Sequence, residues 1–188
     1  MVVDEGIASA LREADQRVVR IFAASCAERL VQVFCAARAT DPSRGDDIAY
    51  VVETLEDLWD LRVPADSFDA RRAHLLSFQE LQPTDFGFTQ IADIYSFYGC
   101  LILMYATKCA EAGGDPEAAI SCAHASLAAM GQLDQNIGNA THFSNERARQ
   151  ETTLEELGRH TPLSRIRDNE RLAAQGLVTT ILDRVNGA

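Results

Sequence analysis

Glu53, Glu56, Asp57 and Asp60 fall at i, i+3, i+4 and i+7, so on a helix their carboxylates share one face. Glu53 with Asp57 and Glu56 with Asp60 are like-charge pairs at i,i+4, each costing about 0.2–0.5 kcal/mol in an isolated helix. Asp57 and Asp60 also lie toward the C-terminal end, where the helix dipole disfavours negative charge. A ridge so unfavourable locally has two uses. It is relieved after folding by Arg62, Arg71 or Arg72, or it is a docking surface that steers a basic protein partner.

Other chemistry is sparse. No two of His74, His124, His142 and His160 stand at i,i+4, and the nearest metal-like pair, His142 with Glu146, lacks further ligands. Ser121 and His124, three apart with Asp115 upstream, could be written as a hydrolase set, but no G-x-S-x-G elbow is present to strain and expose the serine. Cys26, Cys100 and Cys122 fall inside apolar helical stretches, away from the electropositive setting that a reactive thiol needs. Glu28 and Arg29 interrupt an apolar segment, as a buried ion pair that fixes register or as polar groups facing a pocket. No residue is assigned to catalysis, a cofactor or a metal, and the protein is expected not to be an enzyme.

The net charge of −11, from 28 acidic and 17 basic residues, repels phosphate backbones and anionic membranes, so neither nucleic acid nor membrane is an expected partner. Five cysteines are an odd number. Cys26 and Cys35, like Cys100 and Cys109, are nine apart, which on one helix puts the thiols on opposite faces about 13 Å apart along the axis. Reduced thiols, and Asp4 and Glu5 where an export signal would be basic, lead to the expectation of a soluble, cytoplasmic protein. Ile94 to Ala106, the most apolar run, falls short of the roughly 20 residues that a bilayer requires.

Helices must position these groups. Ile7, Leu11, Val18, Phe22, Cys26, Leu30, Val33 and Phe34 predict one long amphipathic helix or two end to end. Asp41 to Gly45 predicts a turn, and Ile48, Val51, Val52, Leu55, Leu58 and Trp59 the apolar face of a second helix that stops before Pro64. A short third helix, capped by Asp66 or Ser67, precedes Pro83. Phe88 to Ala110 is apolar nearly all round and is read as the central helix; Gly113 and Gly114 end it, and Asp115-Pro116 starts an alanine-rich helix that lets a neighbour approach closely. Periodicity is lost over Gln135 to Ser144, a polar arginine-containing region follows, and a last helix runs from about Leu163. The expected fold is all-α, a single domain over residues 1–188 built as a bundle of about six or seven helices.

Phe22-Ala23-Ala24-Ser25-Cys26-Ala27-Glu28-Arg29-Leu30, Thr54-Leu55-Glu56-Asp57-Leu58-Trp59-Asp60-Leu61, and Leu75 to Glu80 ahead of Pro83 together resemble the DUF416 (YjaG-like) family of uncharacterised bacterial helical proteins. The chain departs from that pattern in Ala27 between the cysteine and the glutamate, in Val31-Gln32-Val33-Phe34 where the family often has Pro-Asn-Tyr, and in an arginine-rich C-terminal region. The resemblance implies an all-helical fold, points to a homodimer and transfers no chemistry.

The function expected is a noncatalytic protein-interaction module with an acidic surface, for instance an immunity-type protein that neutralises a basic toxin. The alternative is a small-molecule or lipid-binding helical domain with Trp59, Tyr95, Phe97, Tyr98 and Tyr105 lining a cavity.

Overall fold

Three helix starts follow from aspartate caps that the sequence carries, whereas Asp66 makes no side-chain capping bond and the Ser67 hydroxyl donates to the Pro64 carbonyl instead. Asp4 accepts the Gly6 N–H at 2.8 Å and opens α1, Glu5–Glu13. Ala14 and Asp15 are extended, and Asp15 accepts the Val18 N–H at 2.8 Å to open α2, Gln16–Arg38. The first apolar segment is therefore two helices. A 3-10 turn, Pro42–Arg44, leads into α3, Gly45–Trp59, followed by α4, Ser67–Leu75, and a second 3-10 turn, Gln79–Leu81. The remainder is α5, Ile91–Glu111, α6, Pro116–Asp134, α7, His142–Gly158, and α8, Leu163–Asn186. This computed structural model describes residues 3–82, 90–135 and 140–186; the start predicted for α5 at Phe88 and part of the Gln135 to Ser144 segment lie outside them. Among the described residues there are eight α-helices and no strand, and no helix is long and apolar enough to cross a membrane.

Eight helices exceed the six or seven expected: the split of the first segment gives seven, and the eighth is α7, which the sequence reading does not contain. The buried positions of α7 are Glu146, Gln150, Thr153 and Leu157, at helical spacing but polar in three cases of four. An amphipathic pattern written in polar residues gives no hydrophobic period to detect.

The centre of the bundle also differs from expectation. Every residue of α2 from Ile21 to Val31 is buried, and α2 packs most extensively against α5 and α8. By contrast α5 keeps Ile94, Phe97, Tyr98, Leu101, Met104 and Tyr105 only partly covered. The approach of α2 to α5 is close: a Cβ added at Gly99 would lie 3.1 Å from the Leu30 carbonyl oxygen and from Phe34 Cβ. All eight helices contribute to the core, in which Phe22, Phe34, Phe68 and Tyr95 are among the largest side chains, each stabilising the fold by about 1.5–3 kcal/mol on the usual transfer scale.

After α5 the chain reverses through Gly113 and Gly114 at φ 71 and 111, with the Gly114 N–H donating to the Cys109 carbonyl at 2.8 Å. Asp115 then caps α6 by accepting the Glu117 N–H at 3.0 Å, as its place before Pro116 predicts.

Candidate functional site

The acidic ridge lies on α3 and meets arginines at every position. Asp60 pairs with Arg62 at 2.8 Å, Asp57 with Arg71, and Glu53 with the same Arg71 at 3.5 Å. Glu56 accepts from Arg167 at 2.6 and 2.7 Å and from Arg171 at 3.0 Å. Relief by Arg62 and Arg71 was foreseen, whereas Arg72 turns to Glu111 and Asp69 at 2.6 and 3.3 Å. Hydrogen bonds from Arg62 hold the Asp60 carboxyl down at about 2, and those from Arg167 lower that of Glu56. Glu53 stays the most open of the four, with 67% of its side chain exposed.

Beneath the ridge runs a buried ionic system. Glu28 and Arg29 are both buried, yet they do not pair with each other. Glu28 accepts from Arg167 and Arg171 of α8, each at 3.1 Å, and Arg167 also lies over the Trp59 ring, 5.6 Å from its centroid. Arg29 makes a fork onto Glu146 of α7 at 2.7 and 3.0 Å and donates to Glu170 of α8 at 2.6 Å. Glu170 is further held by Arg149 at 2.8 Å and by the Thr153 hydroxyl at 2.9 Å, while Gln150 donates to Glu146 at 2.8 Å. Burial works against the Arg29 charge, but Glu146 and Glu170 more than compensate, and its pKa rises well above the usual guanidinium value. This system joins α2, α7 and α8 through ions. Sequence reasoning named Glu146 only beside His142 and missed Arg149 and Glu170; the polar i, i+4, i+7 set Glu146, Gln150 and Thr153 on α7 is the signal that could have placed Glu146 inside the bundle.

Sequence-named aromatics converge on an apolar trough between α1, α5 and α6 with a volume of about 510 Å³. Phe97, Tyr98, Leu101 and Tyr105 of α5 form one wall, Ala8 and Arg12 of α1 the other, and Ile120, Ser121 and Ala125 the alanine-rich floor. Three of the five aromatics named from sequence thus share a surface. Tyr95 and Trp59 do not: they are buried in the core at 2% and 7% exposure. At the rim Arg12 pairs with Glu117 at 2.7 Å and Glu5 at 3.8 Å, leaving those carboxylates 62% and 90% exposed.

The remaining candidates are structural. Ser121 donates to the Glu117 carbonyl at 2.8 Å, and Asp115 is spent on its cap, so no nucleophile and base are assembled with His124. Glu146 is taken by Arg29 rather than by His142. Among the described residues no group of three or more His, Cys, Asp or Glu side chains could hold a metal ion. The five thiols are free, and desolvation raises those of Cys26 and Cys109 to about 12 and that of Cys35 to about 11.

No protein-family model and no curated protein matches the chain by sequence. In fold it is similar to the crystal structure of a DUF416 family protein from Shewanella baltica, with a TM-score of 0.59 and 14% identity over 94% of this chain and 93% of the other. At that identity the likeness speaks for the fold, the same all-helical fold to which the Cys26 to Leu30 and Thr54 to Leu61 motifs pointed.

Proposed function

We propose that the protein is a noncatalytic interaction module that receives a basic, amphipathic helical segment of a protein partner in the trough between α1, α5 and α6. The observation that carries this reading is the aromatic wall of Phe97, Tyr98, Leu101 and Tyr105 above a floor of small residues, a shape suited to a helix laid with its apolar face inward. Charge selects the sign of the partner. The rim holds Glu5 and Glu117 against the single Arg12, and the chain carries −11 overall, so an approaching cationic helix is attracted and an anionic one repelled. The setting proposed is the cytoplasm, with reduced thiols.

A second reading puts the basic partner on the ridge of Glu53, Glu56, Asp57 and Asp60. It is favoured by Glu53, whose long contact to Arg71 leaves it open to another cation.

Fluorescence anisotropy with a labelled synthetic peptide of leucine and lysine at helical spacing, beside its leucine and glutamate counterpart, tests both. The trough reading expects binding of the lysine peptide alone, weaker in salt and at least about tenfold weaker in Leu101→Asp, a loss of about 1.4 kcal/mol. Loss on Glu53→Gln with Leu101→Asp unaffected transfers the site to the ridge. Equal binding of both peptides, or a melting shift with small apolar ligands alone, overturns the module in favour of a ligand-binding domain.

A further inference from the structure

Helix α8 presents a face that the fold does not use. From Leu172 to Leu182 the sequence contains no charged residue, in a chain that is 24% charged. Its inward positions are Ile166, Glu170, Ala174 and Ile181, all buried against the bundle. Asp168, Leu172, Gln175, Gly176, Thr179 and Asp183 lie along the opposite, exposed line. Leu172, 69% exposed, is the most exposed large apolar side chain in the described structure. Gly176 stands one turn further on, and a Cβ added there would meet nothing within 4 Å, so no intramolecular contact requires a glycine at this helix-interior position. On either side of the face run grooves of about 960 and 440 Å³, the first reaching Cys35, Ala36 and Ile48, the second Met130 and Leu177.

We infer that α8 is a homodimer interface in which a second copy of the chain lays its own α8 antiparallel across this face, with the two-fold axis at the level of Ala174. In an isologous antiparallel pair, residues equally far before and after the axis come to the same level, and they face each other where both lie near the midline of the contact face, as Leu172 and Gly176 do, each about 20° from it. Leu172 and Gly176 are both two positions from Ala174, so each copy's leucine covers the other's glycine. Arg165 and Asp183 are both nine positions from it and, by the helical period, on the same flank. Both are exposed, and neither has an ion-pair partner among the described residues. One register therefore satisfies the knob, the gap and the charges together, each twice over. A parallel alignment would instead set Arg165 against Arg165 and Asp183 against Asp183. Leu172, Gln175, Gly176 and Thr179 at the middle of the face carry no charge, so two copies of a chain with charge −11 meet little local repulsion there. This inference is independent of the trough.

Sedimentation and light scattering over a dilution series test it. The wild-type protein is expected to have twice the chain mass, falling to that of the monomer on dilution, and Leu172→Asp is expected to be monomeric with unchanged circular dichroism and melting at low concentration. Arg165→Glu and Asp183→Arg should each weaken association, and the double variant should restore it, because the reversed pair again attracts. A monomeric wild type at every concentration overturns the proposal, as does a dimer indifferent to Leu172→Asp, or a double variant no better than its parents.

Discussion

Arg29 donates to Glu170 across 2.6 Å although 141 residues separate them, and neither side chain is more than 4% exposed. The pair is one of the ionic ties between α8 and the central helix, beside Glu28 with Arg167 and Arg171. Every other donor of that guanidinium is also engaged, by Glu146 or by the Cys26 sulfur. Loss of one member consequently strands charge on the others.

Glu170→Gln leaves Arg29 and Arg149 short of a buried counter-charge. Breaking such a pair by removing one partner costs about 3–5 kcal/mol, which for a chain of this size lowers Tm by roughly 6–20 °C. Urea denaturation followed through Trp59, the sole tryptophan and a neighbour of Arg167, measures it. A cost below about 1 kcal/mol would show that α8 is held by its apolar residues alone.

Acid should act at the same residue. Burial pushes the Glu170 carboxyl up, but the Arg29 charge and the Arg149 hydrogen bonds pull it down further, leaving it below the ordinary 4.5. With its folded value depressed, the carboxylate contributes stability that is fully present above about 4.5 and is lost as pH falls through the folded value. Melting curves from about pH 7 to about pH 3 should therefore fall more steeply for wild type than for Glu170→Gln, the two converging in acid. Parallel curves would remove Glu170 from the acid response.

Gly114→Ala forces a side chain onto a residue at φ 111 and sets its Cβ 2.7 Å from the Gln16 carbonyl oxygen. A loss of more than about 1 kcal/mol is expected, from strain in the left-handed region and from displacement of the start of α2. Gly158→Ala is the control, since a Cβ there meets nothing within 4 Å. Equal melting temperatures for the two variants would contradict the close approach.

Thiol reactivity should divide the cysteines. Desolvation raises Cys26 and Cys109 to about 12 and Cys35 to about 11, and of the five only Cys35 is partly exposed. An aromatic disulfide reagent at mildly alkaline pH is expected to modify Cys35 first and slowly in the native protein, and all five at once in denaturant. Rapid native labelling of Cys26 or Cys122 would mean that α2 and α6 open.

The sequence by itself determined the helical class, most boundaries and the sign of the net charge, because these are local or additive properties. Asp15, Asp115, Gly113 and Gly114 act on neighbours within a few residues, and apolar spacing marks a helix face wherever that face is later buried. It also named the rings of the aromatic wall, though not which of them converge: Phe97, Tyr98 and Tyr105 share the trough while Tyr95, on the same helix, and Trp59 of α3 are core. Tertiary structure alone decided where the charges go. Arg167 and Arg171 reach Glu28 and Glu56 across more than a hundred residues of chain, and Glu146 and Glu170 meet Arg29 inside the bundle. A charged residue in an apolar or polar run reads alike whether its partner is water or a distant arginine, since the free energy that buries it comes from that partner. For the same reason α7 was silent in the sequence, the pairing of Glu56 with Arg167 and Arg171 could not be read from it, and α2, carrying Glu28 and Arg29, proved to be the centre.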